Sequence, residues 1–360
     1  MHLNPKIIFT GGGSAGHVTP NLALIEKCRK EHWEIFYLGS KNGMERELIA
    51  KIGILYYPIA TGKLRRYFSV QNFLDCFRII AGIVQAFSLC RKLKPQVVFS
   101  KGGFVAFPVV VGAWLNRIPV ISHESDVTPG LANKLIYPFA TKLCVTFPAT
   151  QQYFKNSKKI VVTGTPLRES LLHGDAARGR DLCGFTTDKK IILVFGGSLG
   201  AEKINTVVRE LLPELLYRFQ IVHICGEGKI DARYDYPGYR QFAYLHEDFG
   251  HVLACADLII SRAGANTAYE LLALRKLNIL IPLSTQSSRG DQIANANYAA
   301  AQGFSQVILE KDLAADSLRQ KINWVIEHNL AITTALAKFQ MLDSKQLIYA
   351  LLSAAKNITH

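Results

Sequence analysis

The chain has 360 residues, too many for one small hydrophobic core, so two domains are the natural expectation. An apolar content of 49% with 19% charged residues excludes a largely disordered chain. The surplus of 42 lysines and arginines over 28 acidic residues, a formal net charge of +14, implies an anionic partner: nucleic acid, an acidic membrane surface or a phosphorylated substrate.

The first apolar run, Lys6-Ile7-Ile8-Phe9, reads as a strand, and strand-like sequence so early leaves no signal peptide expected. It leads into TGGGSAGHVTP at 10–20 and then Asn21-Leu22-Ala23-Leu24-Ile25. Gly11, Gly13 and Gly16 satisfy G-x-G-x-x-G, the spacing of a dinucleotide-binding turn between a strand and a helix. A nicotinamide site also needs an acidic residue about 20 positions on, at the end of the second strand. Here the apolar run 35–38 leads out through Tyr37-Leu38-Gly39-Ser40, with no acidic residue at that end, and Glu34 stands at its start. His17, a residue type that is ionisable near neutral pH, directly follows Gly16. A dinucleotide is disfavoured on both grounds. The glycines still let backbone amides approach an anion at a helix N-terminus, and a tight turn with no ligand stays open as the plain alternative.

The apolar tract at 73–89 is interrupted by Asp75, Arg78 and Gln85, so it is not expected to cross a bilayer. Phe73, Phe77, Ile80, Val84 and Phe87 within it draw an apolar stripe on one helical face. Lys63, Arg65 and Arg66 precede the stripe, and Arg91 and Lys92 follow it. Apolar stripe with flanking basic charge suits an anionic leaflet, with Trp114 as an extension. Taken alone, the pattern favours a helix packed on the sheet with its charges solvated.

Runs at 97–99, 120–122, 142–145 and 160–162 continue the strand series, each separated by enough chain for a crossover, the pattern of a parallel α/β sheet. Ser100-Lys101-Gly102-Gly103-Phe104 follows one strand, and His123 with Glu124 ends another. After TGTPLR at 163–168 the pattern restarts, with 190–195 leading into GGSLGAEKIN as 6–9 led into the first loop. SRAGANTAYELL at 261–272 follows strand 258–260. Its amides and the Thr267 hydroxyl could cradle a diphosphate at a helix start. Glu270, one turn on, could accept from ribose hydroxyls or simply favour the helix dipole. Ser288-Arg289-Gly290-Asp291-Gln292 follows strand 279–282, and the alanine-rich 343–356 reads as a helix. Seven cysteines occur singly, with no CxxC pair, so neither a zinc site nor a disulfide framework is expected and a reduced, cytoplasmic setting is.

The fold predicted is α/β: two tandem Rossmann-like, doubly wound parallel sheets whose glycine loops face one cleft. Residues 1–163 would form an acceptor and membrane-associating domain and 164–341 a donor domain, with 342–360 a helix returning to the first.

In chain order, GGGSAGHVTPNLAL, SKGGFVAFP, HESDVTPGLANK, TGTPLRE, GGSLGA, SRAGANTAYELLAL and SRGDQ resemble the motifs of the MurG family of muramyl-peptide lipid N-acetylglucosaminyltransferases, from about residue 5 to 340. This is glycosyltransferase family 28, of GT-B fold. The resemblance implies inverting transfer of N-acetylglucosamine from UDP-GlcNAc to the C4 hydroxyl of N-acetylmuramic acid in undecaprenyl-pyrophosphoryl-MurNAc-pentapeptide, lipid I to lipid II. It implies peripheral attachment to the cytoplasmic face of the bacterial inner membrane, and partners that include the anionic membrane surface and other cell-wall synthesis proteins. It implies no tightly bound cofactor and no metal, and the chain has no Asp-x-Asp motif. Nucleic acid is not expected as a partner, since no recognition helix or interleaved aromatic and basic pattern is present.

The same resemblance assigns Ser14, Ala15 and Gly16 to a sugar-nucleotide contact, Arg168 to the nucleotide side, Ser198 to phosphate and Leu245 to uracil. It assigns Ala265, Asn266 and Thr267 to the diphosphate, Glu270 to the ribose and Gln292 to the sugar, with Asp126 and Asp291 at two further donor positions. Gly13, Gly16, Gly102 and Gly103 fall on the acceptor and its diphosphate. His17 is the first candidate base, since an imidazole with a pKa of about 6.5 suits proton abstraction at neutral pH. His123 and Glu124 are the alternatives. A diacylglycerol-type lipid glycosyltransferase would share the donor loops.

Overall fold

Strands of a doubly wound sheet are covered on both faces, and the first run meets that demand: Ile7, Ile8 and Phe9 are all fully buried. The computed structural model describes residues 4–62, 70–155, 157–197 and 200–357, apart from the side chains of Ala15, residues 70–74 and Ser157. Two units result, Met1–Pro166 with Leu342–His360, and Leu167–Met341.

The first unit runs β1 (Lys6–Thr10), α1 (Thr19–Lys30), β2 (Glu34–Ser40), α2 (Met44–Lys51), β3 (Leu55–Ile59), α3 (Val70–Leu93), β4 (Val97–Ser100) and α4 (Ala106–Leu115). It continues through β5 (Val120–Glu124), α5 (Leu131–Ile136), β6 (Lys142–Val145) and β7 (Ile160–Val162). The sheet is parallel, in the order β3-β2-β1-β4-β5-β6-β7. Alternation along each strand splits the core in two. Ile7, Phe9, Tyr37, Val97 and Phe99 line one face. Ile8, Phe36, Leu38 and Val98 line the other, covered by Ala86 and Cys90 of α3 and by Val109 and Ala113 of α4. Pro20 in the first turn of α1 starts that helix directly after the glycine loop.

The second unit runs α6 (Glu169–Leu172), α7 (Ala176–Cys183), β8 (Lys190–Phe195), α8 (Glu202–Arg218), β9 (Phe219–Ile224), β10 (Tyr239–Phe242), α9 (Phe249–Cys255) and β11 (Leu258–Ser261). It ends with α10 (Ala265–Ala273), β12 (Leu277–Leu280), α11 (Asp291–Ala301), β13 (Gln306–Val307), α12 (Ala315–Glu327) and α13 (Asn329–Ala337). Its parallel order, β10-β9-β8-β11-β12-β13, repeats that of the first six strands. In both sheets the winding reverses beside the first strand, between β1 and β4 and between β8 and β11. Ligands of such sheets sit outside the carboxyl ends of the strands at that reversal.

A last helix, α14 (Ser344–Lys356), belongs to the first unit. Asp343 caps it, its carboxylate accepting from Gln346 N at 3.0 Å. Ile348, Leu352 and Ala355 enter the core face that holds Ile7 and Phe9, and Trp33 Nε1 donates to Tyr349 Oη at 3.3 Å. No helix among the described residues is long and apolar enough to cross a membrane. The seven cysteines are free, all buried but Cys76.

Candidate functional site

In the first unit the two glycine loops leave adjacent strands, since Thr10 is in register with Ser100. They pack backbone against backbone. Gly103 has φ +80°, and a Cβ there would lie 2.4 Å from Gly12 O and 3.2 Å from His17 Cδ2. Gly13 has φ +84°, and its Cβ would meet the Phe104 ring at 2.6 Å. Conformation and space both require glycine at these positions. Ser14 and Gly16 are exposed. His17 closes the short turn Ala15–His17, its N–H donating to Ser14 O at 3.1 Å. The half-buried ring places Nδ1 3.1 Å from the Lys101 carbonyl oxygen. A carbonyl only accepts, so Nδ1 carries the proton and the neutral ring has its lone pair on Nε2.

The acidic residue absent from the end of β2 stands further on, as Glu45 in the first turn of α2. It is fully buried and accepts from Ser40 N at 3.1 Å, from Ser40 Oγ and from Gly13 N at 3.4 Å. Its carboxylate is bonded to loop backbone, where a nicotinamide site would offer it to a ribose.

Behind the loops lies Lys101, 1% exposed. Its ammonium sits 2.7 Å from His123 Nδ1 and donates to Ser125 Oγ. His123 Nε2 lies 2.8 Å from Gly164 O and must donate there, so Nδ1 accepts from the ammonium. Burial and the Lys101 charge hold His123 well below the ordinary histidine pKa, and it stays neutral. Burial likewise lowers Lys101 to about 8, opposed by the charges of Glu124 and Asp126. Glu124 is buried too. Its Oε1 accepts from Asp126 N at 3.0 Å, and its Oε2 from Gly130 N and Asn133 Nδ2, both at 2.9 Å. Asp126 is further held through its carbonyl, which accepts from Thr150 Oγ1 at 3.2 Å. Of the three candidate bases, His123 and Glu124 are therefore committed to holding the turn after β5 and the chain at 164. His17 alone stands at the loop surface.

In the second unit Phe195 is in register with Ser261, so the loops after β8 and β11 also leave side by side. Ser198 lies outside the described residues. Gly264 is the N-cap of α10, no side chain caps that helix and no acidic residue stands in its first turn. Its leading amides and dipole suit an anion. A Cβ on Gly197 or Gly264 would meet nothing within 4 Å, so space is open beside both loops. Arg168 lies over the Phe249 ring at 5.7 Å, with its Nε buried and without a hydrogen-bond partner. Burial pushes the Glu270 carboxyl up to about 7, against the pull of the Arg168 charge.

Leu245 is half-buried in the loop between β10 and α9. Gln292 Oε1 accepts from Leu283 N at 3.1 Å, which leaves its amide nitrogen to donate. Asp291 Oδ1 accepts from Arg289 N at 3.1 Å. Ser14, Ala15, Gly16 and Asp126 belong to the first unit, and the remaining donor candidates described, including Ala265, Asn266 and Thr267, to the second. The ion pair of buried Arg262 with half-buried Glu310 was not singled out from the sequence. It ties the loop after β11 to Ile281 O at 3.2 Å and to Ser284 N at 3.0 Å. The available signal was an arginine placed directly at a strand end inside a glycine loop.

The stripe on α3 divides by face. Phe77, Ile80 and Val84 are 58%, 58% and 59% exposed, while Phe87 is half-buried beneath Arg91. On α4, Trp114 and Leu115 are each 49% exposed, with the Trp114 ring edge-on to Phe139. Lys63, Arg65 and Arg66 lie outside the described residues, as does the Phe73 side chain.

The glycosyltransferase family 28 N-terminal domain matches residues 7–145, and the family's C-terminal domain matches residues 191–349. Over 357 residues the chain is 50% identical to the UDP-N-acetylglucosamine–N-acetylmuramyl-(pentapeptide) pyrophosphoryl-undecaprenol N-acetylglucosamine transferase of Legionella pneumophila strain Paris, covering 99% of this chain and 98% of that one. It is 54% identical over 318 residues to the protein of the same description from Clostridium perfringens, covering 88% and 89%. Among solved structures, Acinetobacter baumannii MurG is similar with a TM-score of 0.78 at 25% identity, covering 97% of this chain and 99% of that one. A UDP-GlcNAc 2-epimerase from Neisseria meningitidis, at 13% identity and a TM-score of 0.67, shares the fold alone.

Proposed function

This chain belongs to glycosyltransferase family 28, and on that premise we infer that it converts lipid I to lipid II. It transfers N-acetylglucosamine from UDP-GlcNAc to the N-acetylmuramic acid of undecaprenyl-pyrophosphoryl-MurNAc-pentapeptide. The observation that carries this is the 50% identity to a transferase of that description along 99% of the chain, which spans the loops of both units.

The chemistry follows from the groups at the two strand-order reversals. His17 Nε2 takes the proton of the acceptor's C4 hydroxyl as that oxygen attacks the anomeric carbon. The bond from that carbon to the β-phosphate oxygen breaks, the centre inverts, and UDP leaves with added negative charge. The α10 N-terminus and Arg168 stabilise that charge. Glu270 accepts from the ribose hydroxyls, Gln292 donates to the sugar, and Leu245 offers backbone to the uracil. What supports these roles is the unbonded Arg168 Nε, the uncapped α10 and the open space at Gly197 and Gly264. The lipid tail of the acceptor requires work at a membrane surface. Exposed Phe77, Ile80, Val84 and Trp114, with the charge of +14, suit the anionic cytoplasmic leaflet.

The test is UDP release from UDP-GlcNAc, with and without a short-chain lipid I analogue. Release that depends on the acceptor is expected, and His17→Ala should lower kcat by roughly two decades or more. Tight UDP binding without acceptor-dependent release would overturn the lipid I assignment while leaving the donor unit intact.

A further inference from the structure

Lys101 is tied to three parts of the first unit at once. Its N–H donates to Thr10 O at 2.9 Å, at the end of β1. Its carbonyl lies 3.1 Å from His17 Nδ1. Its side chain runs into the interior, where Nζ meets His123 Nδ1 at 2.7 Å and Ser125 Oγ. A buried ammonium is expensive, and an apolar side chain of the same length would fill this slot without the desolvation cost. The surroundings are built to retain it. His123 is turned so that its lone pair faces Nζ, because its other nitrogen is committed to Gly164 O. From the turn after β5 the carboxylates of Glu124 and Asp126 favour the charge, and from β6 the neighbour is Cys144.

We propose that Lys101 is a positioning residue for the base. The grip of its side chain on His123 and Ser125 fixes residue 101, and the carbonyl of that residue holds the His17 ring with the proton on Nδ1 and the lone pair on Nε2. The proposal rests on the reading of His17 as the base. Lys101 meets no substrate in this role, since its ammonium is enclosed by the protein. Its effect is on the orientation and tautomer of a neighbour, and loosening a reacting group by about 1 Å can cost on the order of a hundredfold in rate.

Lys101→Met keeps the length of the side chain and removes its charge and hydrogen bonds. In the full chain labelled with 15N-histidine, ring-nitrogen shifts report the His17 tautomer without any substrate. The wild type should show the Nδ1–H form. Lys101→Met should show a mixture of tautomers, with kcat for acceptor-dependent UDP release reduced about tenfold or more and KM for UDP-GlcNAc within about twofold. A lysine that merely stabilises the fold would lower the melting temperature and leave both tautomer and kcat unchanged, which overturns the proposal. Ser125→Ala removes one anchor and keeps the charge, so it carries the test if Lys101→Met does not fold. A smaller change of the same kind supports the proposal, and an unchanged tautomer and kcat overturn it. The two readings separate cleanly. If His17→Ala is inactive and Lys101→Met behaves as wild type, the positioning role alone falls. If His17→Ala turns over normally, the base reading falls and this proposal with it.

Discussion

Two positions, Gly103 in a loop and Glu270 in α10, set the strongest constraints at the scale of single residues. At Gly103 an alanine would combine φ +80° with a Cβ 2.4 Å from Gly12 O. Gly103→Ala should cost about 1–3 kcal/mol, read as a lower denaturation midpoint, and should lower kcat because the displaced backbone carries Lys101 and abuts His17. Burial pushes the Glu270 carboxyl up to about 7, and in the proposed ribose role hydroxyls donating to its carboxylate would favour the ionised form. On that proposal, donor binding should release a proton below that pH. Affinity for UDP-GlcNAc, whose diphosphate diester does not titrate in this range, should fall up to about tenfold from pH 8 to pH 6. Calorimetric titration of Glu270→Gln should show that slope gone. Without donor the sign reverses. A carboxyl raised above its unfolded value stabilises the fold at low pH, and that contribution is lost as pH rises through about 7.

Among the elements, α14 has the clearest energetic role. Leu352 is fully buried in the first unit, so Leu352→Ala should cost about 2–5 kcal/mol, whereas Asp343→Ala, which removes the cap, should cost about 1 kcal/mol. Chemical denaturation of the two variants would establish the ranking. The strands most legible in the sequence are those covered on both faces, such as β1 and β8, because their apolar runs are unbroken. β9 was missed because Gln220 and His223 interrupt it. His223 is nonetheless fully buried, bonded to Tyr239 Oη at 2.8 Å and Asn205 Oδ1 at 3.0 Å. β3 sits at the sheet edge with Pro58 in it and Leu55 exposed, and β13 is two residues long, so neither carries a strong pattern. The glycine loops were legible for a conformational reason, since few other residues reach their backbone angles. Lys101 and Glu45 were not, because a lysine in a loop or a glutamate in the first turn of a helix reads as solvated until the fold encloses it.

At the scale of the whole molecule, charge and exposed apolar surface should act together. Sedimentation with anionic vesicles should weaken as salt rises, since screening shortens the reach of a net charge of +14. The combined Phe77→Ser, Ile80→Ser and Val84→Ser variant should bind such vesicles less while keeping activity on a short-chain acceptor. Unaltered vesicle binding would remove α3 from the docking surface. The discontinuity of the first unit has a consequence for synthesis of the chain. Its seven strands and first five helices are synthesised before residue 167, but the helix that packs against β4, β5 and α1, on the core face that holds Ile7 and Phe9, comes only after Met341. At 5–20 residues per second that delay is roughly ten to thirty-five seconds. Throughout it the nascent chain carries an apolar face with its last cover missing, a natural target for a chaperone. Ribosome-bound chains halted just before residue 342 should therefore be cut by protease within the first unit, and release of the remaining residues should protect it.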